Sequence, residues 1–131
     1  LWGYTNVVRL GAEHLSDDGN IVLVSGAPAR RAKPGQAAIA SVGGAVEQFV
    51  RAVTAELAPK RINVVSPGVI DTPMFGNDAD ARAKMLGGAT AKNLVPRAGT
   101  PEEVAEGIMF VVKNGFVTGT TIDVDGGWIL S

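Results

Sequence analysis

Cysteine is absent from the chain, so neither a disulfide framework nor a thiolate metal site is available to it. Histidine and tyrosine occur once each, as His14 and Tyr4. No apolar run approaches the roughly 18 residues that a bilayer-spanning helix needs, and no signal-peptide pattern opens the chain. Charge bias is missing too: 12 Lys plus Arg face 13 Asp plus Glu. That balance leaves no electrostatic footprint for nucleic acid or an acidic membrane, and neither is expected as a partner. An initiator Met is also lacking; the opening Leu1-Trp2-Gly3-Tyr4 points either to a segment cut from something longer or to processing. What is present is an ordinary globular composition, 46% hydrophobic and 19% charged in 131 residues, enough for one domain with a modest core.

Helix and strand signals alternate along the chain. Residues 1–15 carry helix formers with Val7, Val8, Leu10 and Leu15, and Asp17-Asp18-Gly19-Asn20 is a turn cluster. Ile21–Val24 is a continuous β-branched run of the kind buried on both faces of a parallel sheet. A Pro- and Gly-containing loop over 27–35 precedes a long helix at 36–58. The first half of that helix, Ala37–Val46, is apolar almost all round, which predicts burial or a packing partner. Its second half turns Phe49, Val50, Val53 and Leu57 inward and places Glu47 and Arg51 as an i,i+4 pair on the wet side.

Ile62–Val65 reads as a second strand, stopped by Ser66-Pro67-Gly68, and 77–86 as a short helix. Thr100-Pro101-Glu102-Glu103 is a capping box with Pro at the first helical position. The helix it opens carries Val104, Ile108, Val111 and Val112 on one face and stops near Gly115. Thr120–Val124 is a third strand. Alternating strands and helices imply crossovers, a parallel sheet and an α/β layer fold. Three strands are only part of such a sheet, and the first would present an open apolar edge.

Four segments carry a family resemblance when taken in order: Gly19–Ser25; Arg51–Pro59 running into Arg61–Gly68; Val69-Ile70-Asp71-Thr72-Pro73-Met74; and Gly99–Ala105 with Thr118-Gly119 and Val124–Gly127. Together they resemble the C-terminal half of a short-chain dehydrogenase/reductase. The resemblance implies that residues 1–131 are the second part of a Rossmann-type doubly wound parallel sheet with helices on both faces. The glycine-rich turn that receives a dinucleotide pyrophosphate would lie outside it. It further implies a cytoplasmic NAD- or NADP-dependent oxidoreductase acting on an alcohol or carbonyl, assembled as a homodimer or homotetramer through the first helix and the long helix.

The catalytic positions depart from the family pattern. Counting back from Glu56 of the family's A-x-E-L segment places its Lys on Gly43 and its Tyr on Ile39. The Ser position falls on Gly26, one step from Ser25, and the family's structural Asn falls before Leu1. Ile39 and Gly43 ionise at no pH, so neither does general acid–base work. Ser25 is the one candidate left for the catalytic role, with a backbone-capping role as the plainer alternative. Tyr4 sits on another helix, and His14 reads as a solvated turn residue. Arg30, Arg31 and Lys33 are either a solvated basic loop or a contact to a phosphate or anionic substrate.

The nicotinamide side keeps its pattern. Pro67-Gly68 would let backbone approach a ring, since Gly adds no side chain. By resemblance, the Ile70 backbone would pair with the carboxamide, and Thr72 would bond the carboxamide or the pyrophosphate. Asp125-Gly126-Gly127 and Trp128 are expected to close the sheet and shape a subunit interface rather than touch substrate. No metal site is expected. The competing readings are a family enzyme with an altered proton relay, a catalytically inactive member kept as a binding or oligomeric scaffold, and an incomplete fragment.

Overall fold

The run Ile21–Val24 becomes the edge of a three-stranded sheet. In the computed structural model, which describes residues 1–131, β1 spans Asn20–Val24, β2 Arg61–Pro67 and β3 Thr121–Val124. Their order is β1-β2-β3 and both pairings are parallel, with Leu23 opposite Val64 and Val65 opposite Ile122. The expected partial α/β sheet, with β1 at an edge, is therefore what forms.

Two helices cover one face. α1 (Trp2–Gly11) contributes Val8, and α2 (Ala37–Leu57) contributes Val46 and Val50, to a buried cluster with Leu23, Ile62 and Val64. Phe49, Val53 and Leu57 pack against that cluster, as the helical spacing predicts. The opposite face is covered by α4 (Pro101–Lys113), which opens on the Thr100–Glu103 capping box and buries Val111. It approaches closely at Gly107, where an added Cβ would lie 2.8 Å from Val124 Cγ2.

The last carbonyls of α4 are bound by a strand residue. Arg61 donates to Val111 O at 2.8 Å, Val112 O at 3.1 Å and Asn114 O at 3.1 Å, while Asn20 Nδ2 adds a bond to Val111 O at 2.8 Å. A cation there also complements the negative end of the helix dipole.

Several expectations need adjusting. α1 stops at Gly11 and passes into a 3-10 turn through His14, which is exposed. α3 runs Ala79–Thr90, longer than 77–86, because Asp78 caps its start and it continues through Gly87-Gly88. Val112 points to solvent, since Val111 and Gly107 already fill the contact with the sheet. Glu47 is the largest correction. It is buried rather than on the wet side with Arg51, because its carboxylate turns in toward the end of β1.

Candidate active-site cleft

The C-terminal ends of β1 and β2 open onto a cleft of about 570 Å³, the usual place for a ligand in an open α/β sheet. Its walls bring together Ser25, Ile39, Pro67, Gly68, Ile70 and Thr72, residues spread over some 47 positions of sequence. Lys33, Gln36, Met74, Phe75, Ala89 and Trp128 close the remaining sides. His14 is not among these residues, and no group of three or more His, Asp or Glu side chains is placed to hold a metal.

Ser25 follows β1 and extends its ladder, its N–H donating to Val65 O at 3.0 Å. Side chains alternate along a strand. Two residues beyond Leu23 and Val64, Ser25 and Ser66 therefore return to the α2 side of the sheet, and Asp123 joins them as the register partner of Ser66. Above this polar row, Glu47 Oε1 accepts from the Ser25 hydroxyl at 2.8 Å, and Glu47 Oε2 faces Arg30 Nε at 3.4 Å. Arg30 also pairs with Asp123. Ser25 thus caps no backbone group; its side chain ends a chain of charged partners. Ser66 Oγ, fully buried in the same row, has no hydrogen-bond partner in the protein. Sequence reading missed this assembly: Glu47 has helical spacing to Arg51, and nothing local signals its turn inward.

The basic loop is exposed, and its side chains are also engaged by the protein. Arg31 donates to Trp128 O at 3.0 Å and Trp128 Nε1 returns a bond to Arg31 O at 3.2 Å. Lys33 Nζ sits 3.7 Å from the centre of the Trp128 ring, a cation–π contact. Asp125 holds the turn that delivers Trp128, its carboxylate accepting from Gly127 N at 2.8 Å and Ile129 N at 3.1 Å. Trp128 is consequently a wall of the cleft, a position that the expectation of closing the sheet and shaping a subunit interface did not include.

Ile39 and Gly43, expected from the motif count at the family's Tyr and Lys positions, have different surroundings. Ile39 lies on the cleft wall with 62% of its surface exposed. Gly43 is buried, and a Cβ there would meet Ala29 Cβ at 2.9 Å. Tyr4, far away in sequence, lines a side cavity of about 160 Å³ with Ile39 and Gly43. Its hydroxyl donates to Val24 O at 2.9 Å.

On the other wall, Gly68 is required by the fold itself, since a Cβ there would lie 2.7 Å from Asp125 Cα. Ile70 forms a parallel bridge with Gly99, and the bonds run through its neighbours: Gly99 N to Val69 O and Asp71 N to Gly99 O. The peptide groups of Ile70 stay outside that pairing, and the Thr72 hydroxyl makes no bond within the chain. A second cavity, about 450 Å³, lies beyond Ile70 and includes Arg97 and Glu103. There Arg97 grips the Glu103 carboxylate, with Nη2 to Oε1 at 2.5 Å. The ion pair and the Thr100 N–H bond hold the Glu103 pKa down to about 2.

Residues 1–129 match a family model described as enoyl-(acyl carrier protein) reductase. The chain belongs to the short-chain dehydrogenase/reductase family. It is 39% identical over 111 residues to the short-chain dehydrogenase/reductase ATR9 of Stachybotrys chlorohalonatus, covering 85% of this chain and 44% of that protein. It is 41% identical over 116 residues to cyclopentanol dehydrogenase of Comamonas testosteroni, covering 84% and 45%. Among solved structures, a small-chain dehydrogenase in complex with NADPH superposes with a TM-score of 0.93 at 33% identity, covering all of this chain and 60% of the other. The chain spans a little under half the length of these two relatives. Its sheet is the C-terminal part of the Rossmann-type sheet of this family, and no helix is long and apolar enough to cross a membrane.

Proposed function

We propose that this chain forms the substrate side and nicotinamide side of an NAD- or NADP-dependent oxidoreductase for an alcohol or carbonyl, working in the cytoplasm as a homodimer or homotetramer without the family's Tyr–Lys proton machinery. The observation that carries it is the single cleft in which Ser25 and Ile39 face Pro67, Gly68, Ile70 and Thr72. The cofactor fits the donor set on that wall: Ile70 has peptide groups free of the Gly99 bridge, and Thr72 has a free hydroxyl. These two would bond the carboxamide and its neighbourhood, with Pro67 and Gly68 bordering the ring. When bound, the dinucleotide supplies or accepts the hydride. The chain's own residues position ligand against it and, through Phe75 and Trp128, narrow the access of water to the contact.

The test uses the full-length protein. Nicotinamide fluorescence is expected to change on binding NADH or NADPH, and Thr72→Ala to weaken that binding several-fold. Turnover of a panel of alcohols and ketones is expected to run about 10²–10⁴-fold below family members that retain Tyr and Lys. A protein that binds neither dinucleotide overturns the reading. The filled space between Gly43 and Ala29 favours the scaffold alternative, whose signature is cofactor binding with no turnover of any substrate.

A further inference from the structure

Ser25 has one proton, and its direction is set from behind. The Oγ donates to Glu47 Oε1 at 2.8 Å, and Glu47 is buried, with Arg30 against its other oxygen at 3.4 Å. A carboxylate only accepts hydrogen bonds, so the hydroxyl proton lies on this bond. Bonds to an ionised partner are roughly twice as strong as neutral ones, so a neutral carbonyl arriving in the cleft does not recapture the proton. What Ser25 offers to the cleft is its lone pairs. Ile39 beside it offers neither donor nor acceptor; Gln36 has its Oε1 engaged by Lys33 N at 2.8 Å, and its amide nitrogen is the neutral donor farther along the wall.

We propose that Ser25 is an acceptor toward the ligand, so that this cleft selects a molecule bearing a donor at that point, an alcohol or an amine in its ammonium form, over the carbonyl of the same shape. The selection runs opposite to that of a serine polarising a carbonyl, which must donate. The charges behind Ser25 reinforce it: Glu47, Arg30 and Asp123 sum to one negative charge, which favours an ammonium over a neutral hydroxyl. Lys33 is the opposing charge on the cleft wall, and its ammonium is held over the Trp128 ring. The proposal rests on reading this cleft as the substrate site, and Glu47 is its positioning residue, acting through Ser25.

The experiment is competitive saturation-transfer NMR on the full-length protein with no cofactor added, using cyclopentanol, cyclopentylammonium and cyclopentanone as probes. One hydrogen bond's difference predicts that the alcohol binds about tenfold tighter than the ketone, with the ammonium at least as tight as the alcohol. Ser25→Ala is expected to erase the difference. In Glu47→Gln the amide nitrogen can donate to Ser25 and release its proton toward the cleft, so the preference is expected to narrow or reverse. Ser25→Ala deletes a single hydroxyl and leaves the comparison decidable even if Glu47→Gln fails to fold. A ketone bound as tightly as the alcohol, a preference that survives Ser25→Ala, or no transfer to any probe each overturns the proposal. Dinucleotide fluorescence on the same sample separates the two ideas. If the dinucleotide does not bind but the alcohol preference holds, the oxidoreductase reading fails and the Ser25 assignment stands. If the dinucleotide binds but the ketone is preferred, the reverse follows.

Discussion

Gly43 of α2 lies directly against Ala29, so that a Cβ on Gly43 would sit 2.9 Å from the Ala29 Cβ. The space beside Gly43, where the motif count would put the family's Lys, is thus filled by the loop after β1. Gly43→Ala gains helix propensity, roughly 1 kcal/mol, but overpacking costs about 1–3 kcal/mol. The variant is expected to be destabilised or neutral in denaturant titration, despite its better helix former. Combining it with Ala29→Gly should show a coupling of about 0.5 kcal/mol or more. The same contact means that Ile39→Tyr with Gly43→Lys restores no proton relay until Ala29→Gly is added. A double variant that gains activity without the third change would refute this packing account.

Arg61 binds the C-terminal carbonyls of α4 from the start of β2, with bonds of 2.8–3.1 Å. Removing the guanidinium deletes four bonds; the Val111 and Val117 carbonyls keep Asn20 and Asn63 as donors, and the Val112 and Asn114 carbonyls stay open to water. Arg61→Met is expected to cost about 0.5–1.5 kcal/mol, with amide exchange accelerating in the last turn of α4 before elsewhere. A loss under 0.5 kcal/mol would show that water replaces the guanidinium without penalty.

Glu103 titrates at about 2 in the folded chain against an ordinary 4.5, first because of its hydrogen bonds from Arg97. A depressed carboxyl pKa stabilises the fold fully above pH 4.5, and that contribution disappears as the pH falls through about 2. The start of α4 is therefore expected to loosen in acid between these values, and Glu103→Gln to abolish this part of the pH dependence. The pair is exposed, so salt should shrink the effect. Thermal melts at pH 5 and pH 2.5 of both proteins check it.

α1 and α2 leave Trp2 (82%), Val7 (56%) and Val42 (46%) exposed. Val42 lies within the small-residue stretch Ala37–Val46, which reads as a helix-packing surface. Val42→Lys with Val7→Lys is expected to turn an oligomer into a monomer at micromolar concentration in sedimentation velocity. An unchanged sedimentation coefficient would place the interface elsewhere.

The strands, α2, α4 and the capping box at Thr100 were legible because each is written locally. Period-2 and period-3.6 patterns and cap residues need only a few neighbours in sequence. The family motifs also located Ile39 and Gly43 as residues without a proton to give. Glu47 was misjudged for a physical reason: helical periodicity assigned it to the solvent side with Arg51, whereas the ends of β1 and β3 supply Ser25 and, through Arg30, Asp123 as its partners. Tyr4 and Trp128 were likewise placed by separations that no local pattern encodes.

The sequence by itself determined the order of helices and strands and the family, because these depend on residue identity and short-range spacing. Tertiary structure alone decided which way the Ser25 proton points, that Ala29 fills the space at Gly43, and that Trp128 walls the cleft. Each of those is a contact between chain segments brought together by burial, and an acceptor's direction or a missing ångström of space exists only once the sheet and its covering helices are packed.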